Sequence, residues 1–258
     1  MLRIPYGRGF LEFEPGDAPV LRSRVGGLRS GAPGAELVRA AMEAPIGSPR
    51  LSELARGKKN CVIIISDHTR PVPSRDILPN MLRDLREGSP GIRVTLLVAT
   101  GFHRATTASE LEAKLGPELL AECEVVVHDC GDAGANVEIG RLPSGTPLVI
   151  DRLAAETELL VAEGFIEPHF FAGFSGGRKS VLPGVCDRAT VLGNHRGQFI
   201  GSPLARTGVL DGNPINADME AAARLAGLSY IVNVVIDEEK RTVAAFAGDC
   251  IEAHRRGC

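Results

Sequence analysis

The 258-residue sequence predicts an α/β fold with a doubly wound, mostly parallel sheet and flanking helices. Two observations lead to this prediction. Short runs rich in Val and Ile show no polar alternation, and amphipathic stretches with helical spacing lie between them. Strands that alternate with helices form parallel βαβ units. Because ligands bind beyond the carboxyl ends of such strands, polar residues that follow a strand are candidate site residues.

The predicted strands span residues 61–65, 92–99, 124–128, 147–150, 159–162, 230–236 and 242–246. The predicted helices span residues 73–87, 109–115, 215–226 and 249–256, with Ser74 and Ser109 as N-caps of the first two. Residues 6–14 suggest a turn with an alternating edge strand. No internal repeat or long linker divides the chain, so we expect residues 1–258 to form one domain.

Composition and charge argue against several classes of protein. The net charge of −3 offers no basic face for a nucleic acid. No apolar run approaches the roughly 18 residues of a membrane span, and the N-terminus lacks the apolar core of a signal peptide. The six cysteines show no C-x-x-C spacing, so we expect reduced thiols, with Cys61 in the core. These features predict a cytoplasmic protein that binds neither nucleic acid nor membrane.

The first candidate site is the cluster 66–71, directly after the strand 61–65. Asp67 can hold a hydroxyl group or orient a neighbour, and Arg70 can clamp a phosphate or carboxylate. The alternative is a local Asp–Arg ion pair at the start of the next helix. His68 is ambiguous, because its side chain could point away from the cluster.

Histidines mark two further candidate sites. His103 follows the strand 92–99, where a catalytic acid or base would lie, and its alternative role is a capping or core histidine. His195 lies in the turn 193–197 and could bind a metal or a phosphate, although a lone histidine in such a turn is more often structural. His128 and His254 belong to no cluster, and we expect them to be structural or solvated.

The most informative stretch is residues 167–180, here called the Gly-Phe segment. It combines His169, glycines, three of the nine phenylalanines and the pair Arg178-Lys179. Glycines let a backbone approach a ligand, an Arg-Lys pair suits an anion, and a desolvated lysine can become a nucleophile or covalent anchor. The segment is not a P-loop, because Arg178 stands where that motif needs its last glycine. The alternative is a glycine-rich surface loop.

Together these clusters suit an acid–base enzyme with an anionic ligand, with or without a metal. Imidazole is a good ligand for nickel, zinc, copper and iron. The sequence has no H-E-x-x-H motif and no compact His/carboxylate triad. A metal held by one or two of these histidines would therefore need further ligands from a cofactor.

Four segments of the chain resemble the N-terminal domain of the nickel-pincer-nucleotide lactate racemases. They are residues 66–71, 99–104, 169–179 and 194–195, in the same order and spacing, and residues 208–214 are also similar. The resemblance implies a Rossmann-like domain and covers most of the chain. Members of the family are much longer and close a second domain over the site, and this chain matches their first domain.

The resemblance also implies roles for individual residues. Lys179 matches the lysine that binds the cofactor covalently, and His195 matches the histidine that completes nickel coordination. His103 and His169 match two catalytic histidines, which exchange the substrate hydroxyl proton while a hydride moves between substrate carbon and cofactor. The implied nucleotide-binding residues are those of the first cluster: Asp67, His68, Thr69 and Arg70.

The resemblance implies a small 2-hydroxy acid as substrate, with lactate as the first choice. It also implies that cofactor-synthesis proteins are partners of the chain. Two alternatives remain open. One is a non-catalytic module that binds the nickel nucleotide or another phosphorylated ligand, and the other is a metal-dependent hydrolase with its metal on His169 and His195. The oligomeric state is not predicted.

Overall fold

The structure, a computed structural model, describes residues 1–7, 9–20, 23–28 and 31–258. Its strands are β1 (Leu2–Tyr6), β2 (Gly9–Phe13), β3 (Asn60–Ser66), β4 (Arg93–Ala99), β5 (Glu124–Val127), β6 (Asn136–Arg141), β7 (Pro147–Asp151), β8 (Leu160–Phe165), β9 (Pro168–His169), β10 (Gly173–Phe174), β11 (Leu228–Ile236) and β12 (Thr242–Gly248). Its helices are α1 (Gly34–Glu43), α2 (Leu51–Leu54), α3 (Ser74–Gly88), α4 (Ala108–Glu122), α5 (Arg152–Glu156), α6 (Arg188–Asn194), α7 (Gly197–Ile200), α8 (Pro214–Leu225) and α9 (Glu252–Gly257), with 3-10 turns at Val25–Leu28 and Gly177–Ser180.

A six-stranded sheet in the order β12-β11-β8-β3-β4-β5 organises the molecule. Every neighbouring pair in it is parallel except β11 and β12, which are antiparallel. From β3 the chain moves to β4 and β5 on one side, whereas from β8 it moves to β11 and β12 on the other. The predicted fold class is confirmed, and the change of direction between β3 and β8 is the point at which such sheets bind ligands.

Both faces of the sheet are buried, which explains the uninterrupted apolar strands. Ile63 and Ile65 of β3 point into a core formed with α1 to α4, whereas Val62 and Ile64 point into a second core formed with α5, α6, α8 and α9. Full burial of one such side chain stabilises the fold by about 1.5–3 kcal/mol. Alternate β3 residues therefore hold the two helical layers on opposite faces.

The two predicted serine N-caps are wrong, for different physical reasons. Helix α3 begins after Pro73, which gives no side-chain cap, and the Ser74 hydroxyl instead donates to Glu163 Oε1 at 2.7 Å. Helix α4 is capped by Thr107, which forms a reciprocal capping box with Glu110. That helix also continues beyond the predicted residue 115, through a break at Gly116, where φ is 78°.

The strand predicted at 147–150 exists, but it does not belong to the main sheet. It is β7, which pairs antiparallel with β6, a strand that the sequence pattern did not predict. This two-stranded sheet covers one face of the main sheet through Leu148 and Ile150, both fully buried. An apolar run of four residues fits a covering layer as well as a central strand, so its sequence alone could not separate the two.

The predicted turn and strand at residues 6–14 form a separate antiparallel hairpin of β1 and β2, and residue 8 of the turn lies outside the described residues. Strand alternation brings Leu2, Ile4 and Tyr6 to the same face as Leu11 and Phe13. Ile4, Tyr6, Leu11 and Phe13 are all exposed. The other face also carries an exposed aromatic residue, Phe10, so the hairpin exposes large apolar side chains on both faces.

No helix within the described ranges has the length and apolar character needed to cross a membrane. The six cysteines are all free, and Cys61 is buried in the core as predicted.

Helix α8 is tied to the Gly-Phe segment by a buried asparagine. Asn213 caps the helix by accepting from the Ile215 amide at 3.0 Å, and its amide group donates to the carbonyl of Phe171 at 2.8 Å. Asn213 is completely buried, so each of these groups would lack a partner without it. One side chain therefore fixes both the start of a helix and the backbone beside His169.

We expect Asn213→Ala to lower the free energy of unfolding by about 1–3 kcal/mol, because it removes a helix cap and leaves buried polar groups unpaired. Urea unfolding followed by circular dichroism measures the change. The control is Ser229→Ala, which removes an exposed hydroxyl and should change the free energy by no more than about 0.5 kcal/mol. Equal stabilities of the two variants would show that the Asn213 contacts contribute little.

Candidate functional site

A cavity of ≈ 310 Å³ lies where β3, β4 and β8 end, and we call it the switch-point cavity. Its walls come from the loops after these three strands and from the Gly-Phe segment. The position is the change of direction between β3 and β8, and the volume suits a small-molecule ligand. Apolar wall residues include Phe102, Phe165 and Phe171.

Six of the eight predicted site residues line this cavity: Asp67, Arg70, His103, His169, Lys179 and His195. The other two, His68 and Thr69, belong to the same loop but are not among its lining residues. His68 Nδ1 lies 3.1 Å from the Thr106 hydroxyl, and the Thr69 hydroxyl donates to Asp67 Oδ1 at 2.7 Å. The fold thus joins segments that are far apart in sequence.

Asp67 and His103 form a short polar contact at the cavity. His103 Nδ1 lies 2.7 Å from Asp67 Oδ2, and the Asp67 side chain is only 1% exposed. Its other oxygen, Oδ1, accepts from the amide and the hydroxyl of Thr69. Asp67 was predicted to hold a nucleotide, and that role stays a prediction. In the structure its two oxygens form hydrogen bonds with Thr69 and His103.

The Gly-Phe segment is held by the buried side chain of Arg178. Its guanidinium is completely buried and donates to the carbonyl oxygens of Ala172 and Gly176 and to Asn216 Oδ1, at 2.8, 3.1 and 2.7 Å. The Arg-Lys pair was expected to face an anion together. Instead Arg178 points into the protein, and Lys179 points into the cavity.

A tight hairpin of β9 and β10 carries His169 and requires a glycine. At Gly173 the backbone φ is 80°, and an added Cβ would lie 2.3 Å from the Val209 carbonyl oxygen. Both the left-handed conformation and this close approach exclude a side chain. The glycine pattern therefore serves the packing of the segment as well as access to a ligand.

The ring of Phe171 lies among three of the candidate groups. Ring centroids are 4.6 Å apart for Phe171 and His169 and 5.0 Å apart for Phe171 and His195, both edge-on. Lys179 Nζ lies 5.9 Å from the same centroid. The phenylalanines of the segment predicted an apolar surface beside the lysine, and Phe171 provides it.

This environment favours the neutral forms of all three groups. Burial, aided by the charges of Arg178 and Arg70, lowers the pKa of Lys179 to about 7. Burial and the charge of Lys179 lower the pKa of His169 to about 3 and that of His195 to about 4. Both imidazoles are therefore uncharged at neutral pH, and part of the Lys179 amine is unprotonated.

The ring of His195 is oriented as a metal ligand requires. It follows α6, and its Nδ1 donates to the Val191 carbonyl oxygen at 3.1 Å. The hydrogen bond places the proton on Nδ1 and leaves the lone pair of Nε2 available. No group of three or more His, Cys, Asp or Glu side chains in the described ranges could hold a metal ion. A metal at His195 would thus need ligands from another molecule.

His128 and His254 have structural contacts. His128 is buried, with Nδ1 2.9 Å from Asp151 Oδ2 and Nε2 3.0 Å from the Cys186 carbonyl oxygen. His254 is also buried, and its Nε2 lies 2.8 Å from the Ser175 carbonyl oxygen. Neither lines the switch-point cavity, and of the two roles expected, structural or solvated, these contacts and the burial of both side chains agree with the structural one.

Glu163 is a cavity residue that the sequence pattern did not identify. It lies within the apolar strand β8, is 1% exposed, and accepts from the Ser74 hydroxyl. Burial raises the pKa of its carboxyl group. A charged residue inside a continuous apolar strand was the available signal, since such a residue is buried only with a specific partner.

Comparison with known proteins identifies the family of the chain. The model of the lactate racemase N-terminal domain matches residues 6–208. The lactate racemase of Thermoanaerobacterium thermosaccharolyticum is 51% identical over 260 residues, which is all of this chain and 61% of that protein. The lactate racemase of Lactiplantibacillus plantarum is 55% identical over 223 residues, which is 86% of this chain and 53% of that protein.

Solved structures give the same result for the fold. The lactate racemase apoprotein from T. thermosaccharolyticum superposes with a TM-score of 0.92 at 51% identity and covers 99% of this chain and 60% of that one. A Thermotoga maritima protein superposes with a TM-score of 0.69 at 22% identity over 87% of this chain and 57% of that one, which shows a shared fold. The chain therefore spans between half and two thirds of the length of these relatives.

We expect Lys179 to react with acetic anhydride with a midpoint near pH 7, because burial and neighbouring positive charges favour its neutral amine. An ordinary exposed lysine has a pKa of about 10.4. Competitive labelling followed by peptide mass spectrometry measures the profile, with the exposed Lys59 as internal comparison. Arg70→Gln should raise the midpoint by removing one nearby charge. A Lys179 profile that coincides with that of Lys59 would contradict the expected environment.

Proposed function

The chain belongs to the family of lactate racemase N-terminal domains, and we propose that it is the cofactor-binding and catalytic domain of a 2-hydroxy-acid racemase. Lactate is the first substrate to test. The observation that carries the proposal is the convergence of Lys179, His195, His103 and His169 on one cavity at the change of strand direction. Two histidines, one metal-competent imidazole and one reactive amine are the side chains that this chemistry needs.

The residues of the cavity fit a nickel-pincer nucleotide. Lys179 provides an amine that is partly neutral at pH 7, as a covalent anchor must be. His195 presents the lone pair of Nε2, and a single protein ligand suits a metal that obtains its other ligands from the nucleotide. Arg70 lines the cavity and suits the phosphate of the nucleotide or the carboxylate of the substrate.

When bound, the nucleotide would supply a centre that accepts and returns the hydride of the substrate carbon. Side chains of the protein would remove the proton of the substrate hydroxyl and return it. We assign this role to His103 and His169, which line the same cavity. The Asp67 carboxylate would hold the His103 ring by its contact with Nδ1, so that Nε2 takes the hydroxyl proton.

We further propose that proteins that make the cofactor are partners of the chain, and that residues 1–258 act as one domain. The cytoplasmic location expected from the sequence stays a prediction. A metal-dependent hydrolase with its metal on His169 and His195 is disfavoured by the contacts of His169. Its Nδ1 accepts from the Ala172 amide, so the other nitrogen of the neutral ring carries a proton and cannot bind a metal.

We expect intact-mass spectrometry to detect a covalent adduct when the chain is expressed with the cofactor-synthesis proteins and nickel. The adduct should map to Lys179 and disappear in Lys179→Ala, whereas Lys59→Ala, which alters an exposed lysine, should retain it. The lactate racemase of T. thermosaccharolyticum, expressed in parallel, shows whether the synthesis proteins are active. An adduct that persists in Lys179→Ala would contradict the anchor assignment.

We expect His103→Ala to keep the adduct on Lys179 but to lower racemisation of lactate by about 10²–10⁴-fold, the usual contribution of one proton-transferring side chain. His195→Ala should instead keep the organic adduct and lose nickel. Polarimetry or chiral chromatography measures turnover, and elemental analysis measures the metal. A loaded chain that turns over neither enantiomer would favour the alternative of a non-catalytic nickel-nucleotide binding domain.

A further inference from the structure

Hydrogen-bond partners fix the tautomer of each of the three histidines of the switch-point cavity, and His169 differs from the other two. In a neutral imidazole one nitrogen carries the proton and the other has a lone pair, and the hydrogen bond of either nitrogen decides which is which. In each of the three rings Nδ1 takes part in such a bond. The nature of the partner, acceptor or donor, therefore determines what Nε2 can do.

His103 faces an acceptor. Asp67 Oδ2 lies 2.7 Å from Nδ1, and the neighbouring Oδ1 accepts from both the amide and the hydroxyl of Thr69. An ionised carboxylate only accepts hydrogen bonds, so the His103 proton lies on Nδ1. The Thr69 hydroxyl, 3.4 Å from Nδ1, donates its hydrogen bond to Asp67 Oδ1 at 2.7 Å and therefore does not donate to the ring. In the neutral ring, Nε2 of His103 therefore has a free lone pair.

His169 faces a donor. The Ala172 backbone amide donates to Nδ1 at 3.3 Å, and a backbone amide nitrogen has no lone pair with which to accept. Phe170 stacks on the ring at 4.8 Å and Phe171 meets it edge-on at 4.6 Å, which fixes the ring plane. Because the ring is neutral at pH 7, its single proton lies on Nε2.

We propose that the two histidines are held in opposite tautomers, with His103 presenting a proton-accepting Nε2 and His169 a proton-donating Nε2–H. Asp67 is then the positioning residue for His103, and the Ala172 amide has the same role for His169. The inference rests on the proposed function in one respect, namely that these two side chains meet the substrate.

The two histidines therefore have different roles before substrate binds: one accepts a proton and the other donates a hydrogen bond. His103 is ready to take a hydroxyl proton, whereas a neutral imidazole with Nε2–H polarises an oxygen by donating a hydrogen bond, a use of histidine known from enzymes with a depressed histidine pKa. For His169 to accept a proton at Nε2, its own proton must move to Nδ1, and the hydrogen bond from Ala172 must break. The two enantiomers of a substrate therefore meet unequal histidines.

Long-range proton–nitrogen NMR of the histidine-labelled chain, without cofactor and at neutral pH, tests the proposal directly. A protonated ring nitrogen and a bare one resonate far apart, so each tautomer has its own pattern of cross-peaks. His103→Gln and His169→Gln assign the two rings. We expect bare Nε2 and protonated Nδ1 for His103, and the reverse for His169. A bare Nε2 on His169, or a protonated Nε2 on His103, would overturn the proposal.

Asp67→Asn tests whether the carboxylate sets the first tautomer. An asparagine amide can donate to Nδ1, so the His103 proton should move to Nε2 in part or completely, as occurs when the aspartate of a serine-protease triad is replaced. The matched control is Asp129→Asn, an exposed carboxylate that follows the neighbouring strand β5 and accepts from the Gly131 amide. An unchanged His103 pattern in Asp67→Asn would refute the positioning role of Asp67.

The outcome is independent of the proposed function. Opposite tautomers in a chain that never gains an adduct on Lys179 would support the present inference and contradict the racemase proposal. An adduct on Lys179 in a chain whose two histidines share one tautomer would support the racemase proposal and contradict the inference of opposite tautomers. The two failures are therefore distinguishable.

Discussion

The buried guanidinium of Arg178 is the interaction on which the candidate site depends. A cation taken out of water destabilises a fold unless its hydrogen bonds are satisfied. Arg178 meets this demand with the carbonyl oxygens of Ala172 and Gly176 and with Asn216 of α8. The same contacts fold the Gly-Phe segment back on itself. The segment thus takes its shape from a residue that never reaches the cavity.

The charge of Arg178 also reaches its sequence neighbour. Burial lowers its pKa to about 10, so it remains charged at neutral pH and disfavours a proton on Lys179. Lys179 in turn disfavours protons on His169 and His195. A metal ligand and an amine nucleophile both need their unprotonated forms. Burial and neighbouring positive charges therefore favour the unprotonated forms of both His169 and Lys179. An anionic ligand would compensate for the excess positive charge.

Much of this could be predicted from the sequence. Strands such as β3 and β4 are continuous apolar runs whose ends carry Asp67 and His103, and parallel strands bring their carboxyl ends to one edge. Roles that depend on distant partners were not predictable. Ser74 matched the pattern of a helix cap, but its hydroxyl is used by Glu163, a residue 89 positions away. Arg178 matched an anion-binding residue, but tertiary contacts with α8 and α9 bury it.

The two catalytic candidates show the same division between local and tertiary control. The partner of His169 is the amide of Ala172, three residues away in the same hairpin, and the glycine at 173 that permits this turn is visible in the sequence. The partner of His103 is Asp67, 36 residues away on another loop, and the contact exists because β3 and β4 are parallel neighbours. A local turn thus determines the hydrogen-bond partner of His169, and the sheet topology determines the partner of His103. Any two loops that follow adjacent parallel strands can form a contact like that between Asp67 and His103. This explains how a common fold can acquire a specific acid–base pair.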